Sequence, residues 1–219
     1  MYREGGVLVD LGGGIAVHNG VLAQLGMSVY VVDLLSDYWE RKAANPTAIN
    51  REIELLERCG VQFIRGEVST FDFANRFAAN SIDVVASFHC IEHLHQSPKF
   101  ALESAMQALK PGGLLLIEVP NAANIRKRIA LLMGHTNYPA FDSYYYSPAF
   151  VGHVREYTVG DLRQLGQNLG GPRYRILGKN TTYGHWVERI PHSIRRVLDA
   201  GLQPFPGLCS SLLLEVTKS

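Results

Sequence analysis

The chain has 219 residues, 47% of them hydrophobic, 19% charged and 10% aromatic, which suits one sizeable domain with a buried core and excludes a disordered or collagen-like polymer. Its 21 Lys and Arg oppose 20 Asp and Glu for a net charge of +1. That balance supplies no long-range pull toward nucleic acid or anionic lipid, while leaving room for a local basic patch.

Short β-branched runs alternate with helical patterns, the signature of a parallel sheet covered on both faces. In chain order, strands are predicted at Val7–Leu11, Ser28–Asp33, Val61–Arg65, Ile82–Ser87 and Leu114–Val119. Most are continuously apolar, as strands buried on both faces should be. Helices are predicted at Ile15–Leu25, across Ser36–Cys59 with a break near Pro46, and at Pro98–Leu109. The last should stop at Lys110-Pro111-Gly112-Gly113, since Pro cannot continue a helix and Gly permits the turn. A long connection from Pro120 to Gly152 then carries a short basic helix, Asn124–Leu132, and the Tyr- and Pro-rich run HTNYPAFDSYYYSPAF. A helix at Val159–Leu169, a strand near Tyr174–Lys179, an amphipathic segment with Trp186, Ile190, Ile194, Val197 and Leu198 on one face, and a closing strand SSLLLEVT complete the chain. The expected architecture is a three-layer α/β, Rossmann-like, seven-stranded sheet, mostly parallel with an antiparallel last strand. Cys59, Cys90 and Cys209 show no C-x-x-C spacing and read as reduced thiols. Asp10 and three glycines interrupt the first apolar stretch, so it is no signal peptide, and no uncharged run reaches the ~18 residues of a membrane span. A cytoplasmic protein is expected.

VLVDLGGGIA is a strand entering glycines and then a helix. Gly12, Gly13 and Gly14 allow a tight turn with close backbone approach by a ligand, and the following helix presents free N–H groups to an anion. Asp33, ending the second strand, is placed to accept hydrogen bonds from a ribose diol. A dinucleotide and S-adenosylmethionine both suit this pattern; the G-x-G-x-x-G fingerprint requires Gly at the position held by Val17.

With these residues the chain resembles the class I S-adenosylmethionine-dependent methyltransferases. VLVDLGGG-I-A is similar to their first motif, with Ala16 replacing its last glycine. IRGEV, IDVVASFHCIEHL, ALKPGGLLLIEVPN and GHVREYTVGDLRQLGQNLG resemble later motifs in the right order, the last being common in the ubiquinone-biosynthesis-like branch. The resemblance implies that Asp10, Gly12, Gly13, Gly14, Asp33 with Leu34, Glu67, Val68 and Phe88 bind the cofactor. Glu67 stands where Asp is more usual.

His89, Glu92 and His93 follow the fourth strand with spacing that would place them on one face of a helical turn, at the rim where such sheets bind ligands. Members of the family have a comparable E-x-x-E-H cluster plus a later His, matched here by His153. Imidazole and carboxylate together suit Zn, Mn or Fe, and His89 in place of a carboxylate disfavours Mg. Metal ligands (His89, Glu92, His93, His153), a metal-free base centred on His93 with Glu92 and His153, and polar residues holding a loop all remain open. His18 and His95 are expected to be solvated surface residues.

Tyr138, Phe141, Tyr144, Tyr145 and Tyr146 are expected to cover an acceptor or to form a satellite apolar cluster. Arg126-Lys127-Arg128 and Arg195-Arg196 read as solvated faces or contacts to an acidic acceptor. The Trp186–Leu202 helix is open to three uses: a second lid, a homodimer surface or a peripheral membrane contact. Relatives of this fold carry helices before the first strand; here that strand starts almost at Met1, leaving the cofactor site open, covered by a partner chain, or completed by residues upstream. The expectation is one methyltransferase domain over 1–219, with acceptor-covering insertions about 121–152 and 180–208. It would use S-adenosylmethionine, with a divalent metal as a further candidate, to O-methylate a small-molecule hydroxyl acceptor such as a sugar or quinone-type ring. A nicotinamide-dependent oxidoreductase and a non-catalytic cofactor-binding protein are the alternatives, and a nucleic-acid partner is disfavoured by the charge balance.

Overall fold

The computed structural model describes residues 3–35, 46–136, 138, 140–146, 152–170, 173–180 and 200–219, side chains at 46–48 and 143 excepted. Seven strands form one sheet in the order β3-β2-β1-β4-β5-β7-β6: β1 Val7–Leu11, β2 Ser28–Asp33, β3 Val61–Arg65, β4 Ile82–Phe88, β5 Leu109–Pro120, β6 Tyr174–Lys179 and β7 Ser211–Thr217. All run in parallel except β7, which lies antiparallel between β5 and β6.

Because successive strand side chains alternate between faces, each strand feeds two cores. Leu8, Val29, Val31, Val84 and Leu116 bury one face, with helices α1 (Val17–Gln24) and α2 (Pro46–Arg58) beside them. Val9, Leu11, Val85, Leu115 and Ile117 bury the other, against α3 (Lys99–Ala108) and α6 (Val159–Gly170). The result is the expected three-layer mixed sheet. α4 (Ile125–Leu132) and α5 (Phe141–Tyr145) lie in the long connection after β5. Asn124 caps α4 by accepting from the Lys127 amide at 3.0 Å, which explains its start.

One local expectation needs correction. The Lys110–Gly113 run is part of β5, not a turn ahead of it: Leu109 already pairs with Ile82, and a ladder irregularity absorbs the run, with Gly112 at φ +77°. Proline and glycine here mark a bulge in a strand, as they often do. Of the broken helix expected across Ser36–Cys59, the part after the break near Pro46 is α2; positions 36–45 lie outside the described residues. So do Trp186, Ile190, Ile194, Arg195, Arg196, Val197 and Leu198. Among the described residues no helix is long and apolar enough to cross a membrane.

Candidate functional site

The chain reverses its direction of travel across the sheet between β1 and β4, so the loops leaving their carboxyl ends share a crevice. The loop after β1 has Gly12 at φ +71° and Gly14 at φ +50°. A Cβ on Gly12 would lie 2.2 Å from Cys90 Sγ, and one on Gly13 would lie 2.2 Å from Asp10 Oδ2. The loop therefore packs against the β4 loop with no room for side chains. Fully buried Asp10 accepts from Asn19 Nδ2 at 2.8 Å through Oδ2. Its Oδ1 is buried without a hydrogen-bond partner among the described residues, as is Asn19 Oδ1. Unsatisfied buried acceptors are costly, and a donor-bearing ligand would relieve that cost.

At the end of β2, Asp33 accepts from the Leu35 amide at 2.8 Å and from the Gly14 amide at 3.1 Å. Burial pushes its carboxyl above the ordinary value, against the lowering effect of those amides. Leu34 beside it is exposed. Glu67 caps the 3-10 turn Val68–Thr70, accepting from the Ser69 amide and hydroxyl at 3.3 and 3.1 Å, and Val68 belongs to the core. Phe88 ends β4 with its ring edge-on to His18, centroids 5.8 Å apart. His18 is not simply the solvated surface residue expected: its Nε2 lies 3.3 Å from Asp10 Oδ2. That placement arises because the first turn of α1 folds back over the end of β1, which spacing along the chain does not reveal.

The β4 loop departs from the single helical face that its spacing suggests. His89 sits at φ +51°, ahead of a 3-10 turn covering only Ile91–His93, and its ring lies between two carboxylates, Glu92 and Glu118. Its Nδ1 is 3.4 Å from Glu92 Oε1, and its Nε2 is 3.6 Å from Glu118 Oε1. Hydrogen bonding to Glu118, then to Glu92, raises the imidazole to about 9. His89 is not in the group of three whose ligand atoms lie within 4.8 Å of one another, Glu92, His93 and His153. Glu118 in turn bonds Lys179 at 2.9 Å; the His89 and Lys179 contacts outweigh burial and hold it down to about 2. Burial drives Cys90 up to about 12, making it a packing thiol.

Glu92, His93 and His153 do converge: one ligand atom from each lies within 4.8 Å of the others. The main chain brings them together, since the amides of Val154 and Arg155 donate to the Glu92 carbonyl at 2.7 and 3.1 Å. Glu92 is fully buried; its Oε1 faces the His89 imidazole at 3.4 Å, and its Oε2 has no hydrogen-bond partner among the described residues. His93 Nδ1 is 3.1 Å from the Gly152 carbonyl, so that nitrogen carries the hydrogen and Nε2 keeps its lone pair. His153 Nδ1 is 2.9 Å from Glu156 Oε1, and Glu156 is ion-paired with Lys127. These two contacts hold Glu156 below the ordinary carboxylate range despite burial. The rings of His93 and His153 meet edge-on at 4.9 Å.

Glu156, Glu118 and Lys179 carried no reading in the sequence, and Lys127 read only as part of a basic run on a solvated face or against an acidic acceptor. The i,i+3 pairing of His153 with Glu156 was a usable signal; the other contacts join residues far apart in the chain and had none. Asn121 was missed as well. It is fully buried, donates to the carbonyls of Gly207 and Cys209 at 3.1 and 2.8 Å, and bridges to Tyr157, tying the site loops to the end of β5.

A methyltransferase-domain family matches residues 2–170, and the chain belongs to that family. Together with the sheet order, this makes it a class I S-adenosylmethionine-dependent methyltransferase. Among solved structures, it is similar to an S-adenosylmethionine-dependent methyltransferase of Thermotoga maritima, with TM-score 0.62, 16% identity, and 98% of this chain and 83% of that one covered. An S-adenosylmethionine-dependent methyltransferase of Mesorhizobium loti gives TM-score 0.61 at 16% identity, covering 100% and 93%. Phosphoethanolamine N-methyltransferase 2 of Haemonchus contortus, bound to S-adenosyl-L-methionine, gives TM-score 0.55 at 16% identity, covering 99% of this chain and 49% of that one. At these identities the likeness shows the fold alone. No curated protein matches the chain.

Proposed function

We propose that the protein O-methylates a small hydroxyl-bearing acceptor, a sugar or quinone-type ring, in the manner of the ubiquinone-biosynthesis-like branch. The observation carrying this reading is the pair His93 and His153. Each has Nδ1 anchored, by the Gly152 carbonyl and the Glu156 carboxylate, beside buried Glu92. A hydroxyl is a weak nucleophile near neutral pH and must lose its proton as it attacks, which is what an imidazole with a free Nε2 does. His93 takes the proton; Glu92 and His153 with Glu156 stabilise the imidazolium that results.

S-adenosylmethionine supplies an electrophilic methyl on a sulfonium. The residues fit it: Asp10 Oδ1 is an open buried acceptor suited to an ammonium group, and the side-chain-free loop at Gly12–Gly14 with Asp33 suits the methionine end and ribose. Leu34, Glu67, Val68 and Phe88 complete the cofactor set. The insertions read from the sequence at about 121–152 and 180–208 would cover the acceptor, and a cytoplasmic location suits the thiols.

The convergence of one ligand atom each from Glu92, His93 and His153 within 4.8 Å, with Glu92 Oε2 lacking a hydrogen-bond partner among the described residues, favours a second reading, in which these three hold a divalent cation. This nitrogen and carboxylate set suits Zn, Mn or Fe, and such an ion would polarise the acceptor hydroxyl as a Lewis acid. Metal analysis followed by a chelator separates the readings: turnover unaffected by chelator supports the base, and turnover lost and restored by one ion supports the metal. The O-methylation itself is tested with labelled S-adenosylmethionine and matched hydroxyl and amine acceptors, an N-methyltransferase being among the structural relatives. Label on hydroxyl acceptors is expected; label confined to amines would overturn the proposal.

A further inference from the structure

We infer that His18 is a positioning residue for the amino-acid end of the cofactor, acting through Asp10. The inference rests on the reading of Asp10 as the acceptor for the cofactor's ammonium group. Asp10 is fully buried near the end of β1, and its two oxygens are used unequally. Asn19 Nδ2 donates to Oδ2 at 2.8 Å, and His18 Nε2 faces the same oxygen at 3.3 Å. Oδ1 has no hydrogen-bond partner among the described residues, nor has Asn19 Oδ1. A carboxylate turns readily about its last bond, so either oxygen could face a ligand; two N–H groups on Oδ2 settle which one does. The open acceptors, one on each of two neighbouring side chains, suit an ammonium group, which carries three donors and accepts nothing.

The chain offers Asp10 little else. Among the described residues no Lys or Arg pairs with it, and His18 is the one basic side chain that does. The crevice is rich in carboxylates: Asp33, raised chiefly by burial, is raised further by repulsion from Asp10 and Glu67. Such a crevice favours a cationic ligand. Asn19 is fully buried, whereas the His18 side chain is 45% exposed, with its ring edge-on to Phe88, centroids 5.8 Å apart. Phe88 comes from the end of β4, so His18 joins the two strand ends between which the proposed cofactor site lies. Its reach follows from the glycine loop. With no side chains at Gly12–Gly14, the first turn of α1 settles directly over the end of β1. Helical positions 18 and 19, about 100° apart around the axis, then both reach the carboxylate.

The test is calorimetry of the full chain with two ligands, S-adenosylhomocysteine and its analogue with hydrogen in place of the α-amino group. Wild type should bind the amino compound about tenfold or more tighter, the worth of a hydrogen bond between charged groups. His18→Phe keeps a ring against Phe88 and removes the N–H. It should lose about three- to tenfold of that preference, with affinity for the deaminated analogue unchanged. His18→Gln restores an N–H without the ring and should retain the wild-type preference. Circular dichroism checks the fold of each variant, and His18→Ala, which adds no bulk, serves where the larger ring unfolds the chain. Wild type binding both ligands equally removes the ammonium from Asp10 and takes this inference with it. A preference that persists undiminished in His18→Phe leaves the reading of Asp10 standing and overturns the role of His18. Both ligands weakened equally, or a loss of preference that His18→Gln shares, shows that the ring serves by packing alone and also overturns it.

Discussion

Gly12 is held glycine by two independent demands, a left-handed φ of +71° and the Cys90 thiol where its side chain would be. The tight turn was legible in the sequence, and the Cys90 contact was not. Gly12→Ala should therefore lower stability by about 1–3 kcal/mol, the usual cost of a strained backbone position, before any ligand is added. Adding Cys90→Ala should recover only part of this in thermal melts, because the backbone strain persists. Asp33 makes the complementary case. Its two amide contacts hold the carboxylate in place, and Asp33→Ala should weaken S-adenosylhomocysteine binding by about 1.5–3 kcal/mol, the scale of hydrogen bonds to a charged group. Calorimetry on the folded variant reads this directly, and unchanged affinity would remove Asp33 from the cofactor set. Both residues were legible because a motif carried them. His18 was not, since its contact with Asp10 is made by the first turn of a helix folding back over a strand end.

Most strands were readable to within a residue, because continuous apolar runs between breakers leave little choice in a doubly covered sheet. β5 was not, because its Lys-Pro-Gly-Gly segment carries turn chemistry inside an irregular strand. In the β4 loop, spacing put His89 beside Glu92, and the two side chains do meet at 3.4 Å, but it gave no sign of the left-handed φ at 89 or of the second carboxylate, Glu118. The ion pairs that follow, Lys179 to Glu118 to His89, join β6, β5 and the β4 loop, and no local pattern could announce them. They have a pH signature. Glu118 is held down to about 2 from an ordinary 4.5, so its stabilising charge is complete above 4.5 and is lost as pH falls through that range toward 2. Between those limits wild type should lose stability with acid more steeply than Glu118→Gln, whose baseline is lower. Denaturant midpoints measured across that range test it; parallel curves for the two proteins would show that Glu118 contributes nothing.

At the scale of the whole molecule, the sheet presents two crevice loops at its β1/β4 switch point, a glycine loop on one side and a histidine pair on the other. The segment after β5 lies beyond them. Hydrogen exchange should be fast across residues 131–146 in the free protein and should slow when acceptor and S-adenosylhomocysteine are both present, since exposed connections are drawn from the low-stability end. Equally slow exchange in both states would rule out a closing role. The role proposed for His93 is on the acceptor and not on the cofactor. Its most direct test is the rate of methyl transfer to a hydroxyl acceptor by His93→Ala at saturating S-adenosylmethionine. The rate should fall about 10²–10⁴-fold, the usual worth of a general base, with S-adenosylhomocysteine affinity unchanged. A His93→Ala protein that transfers methyl at the wild-type rate would contradict the claim.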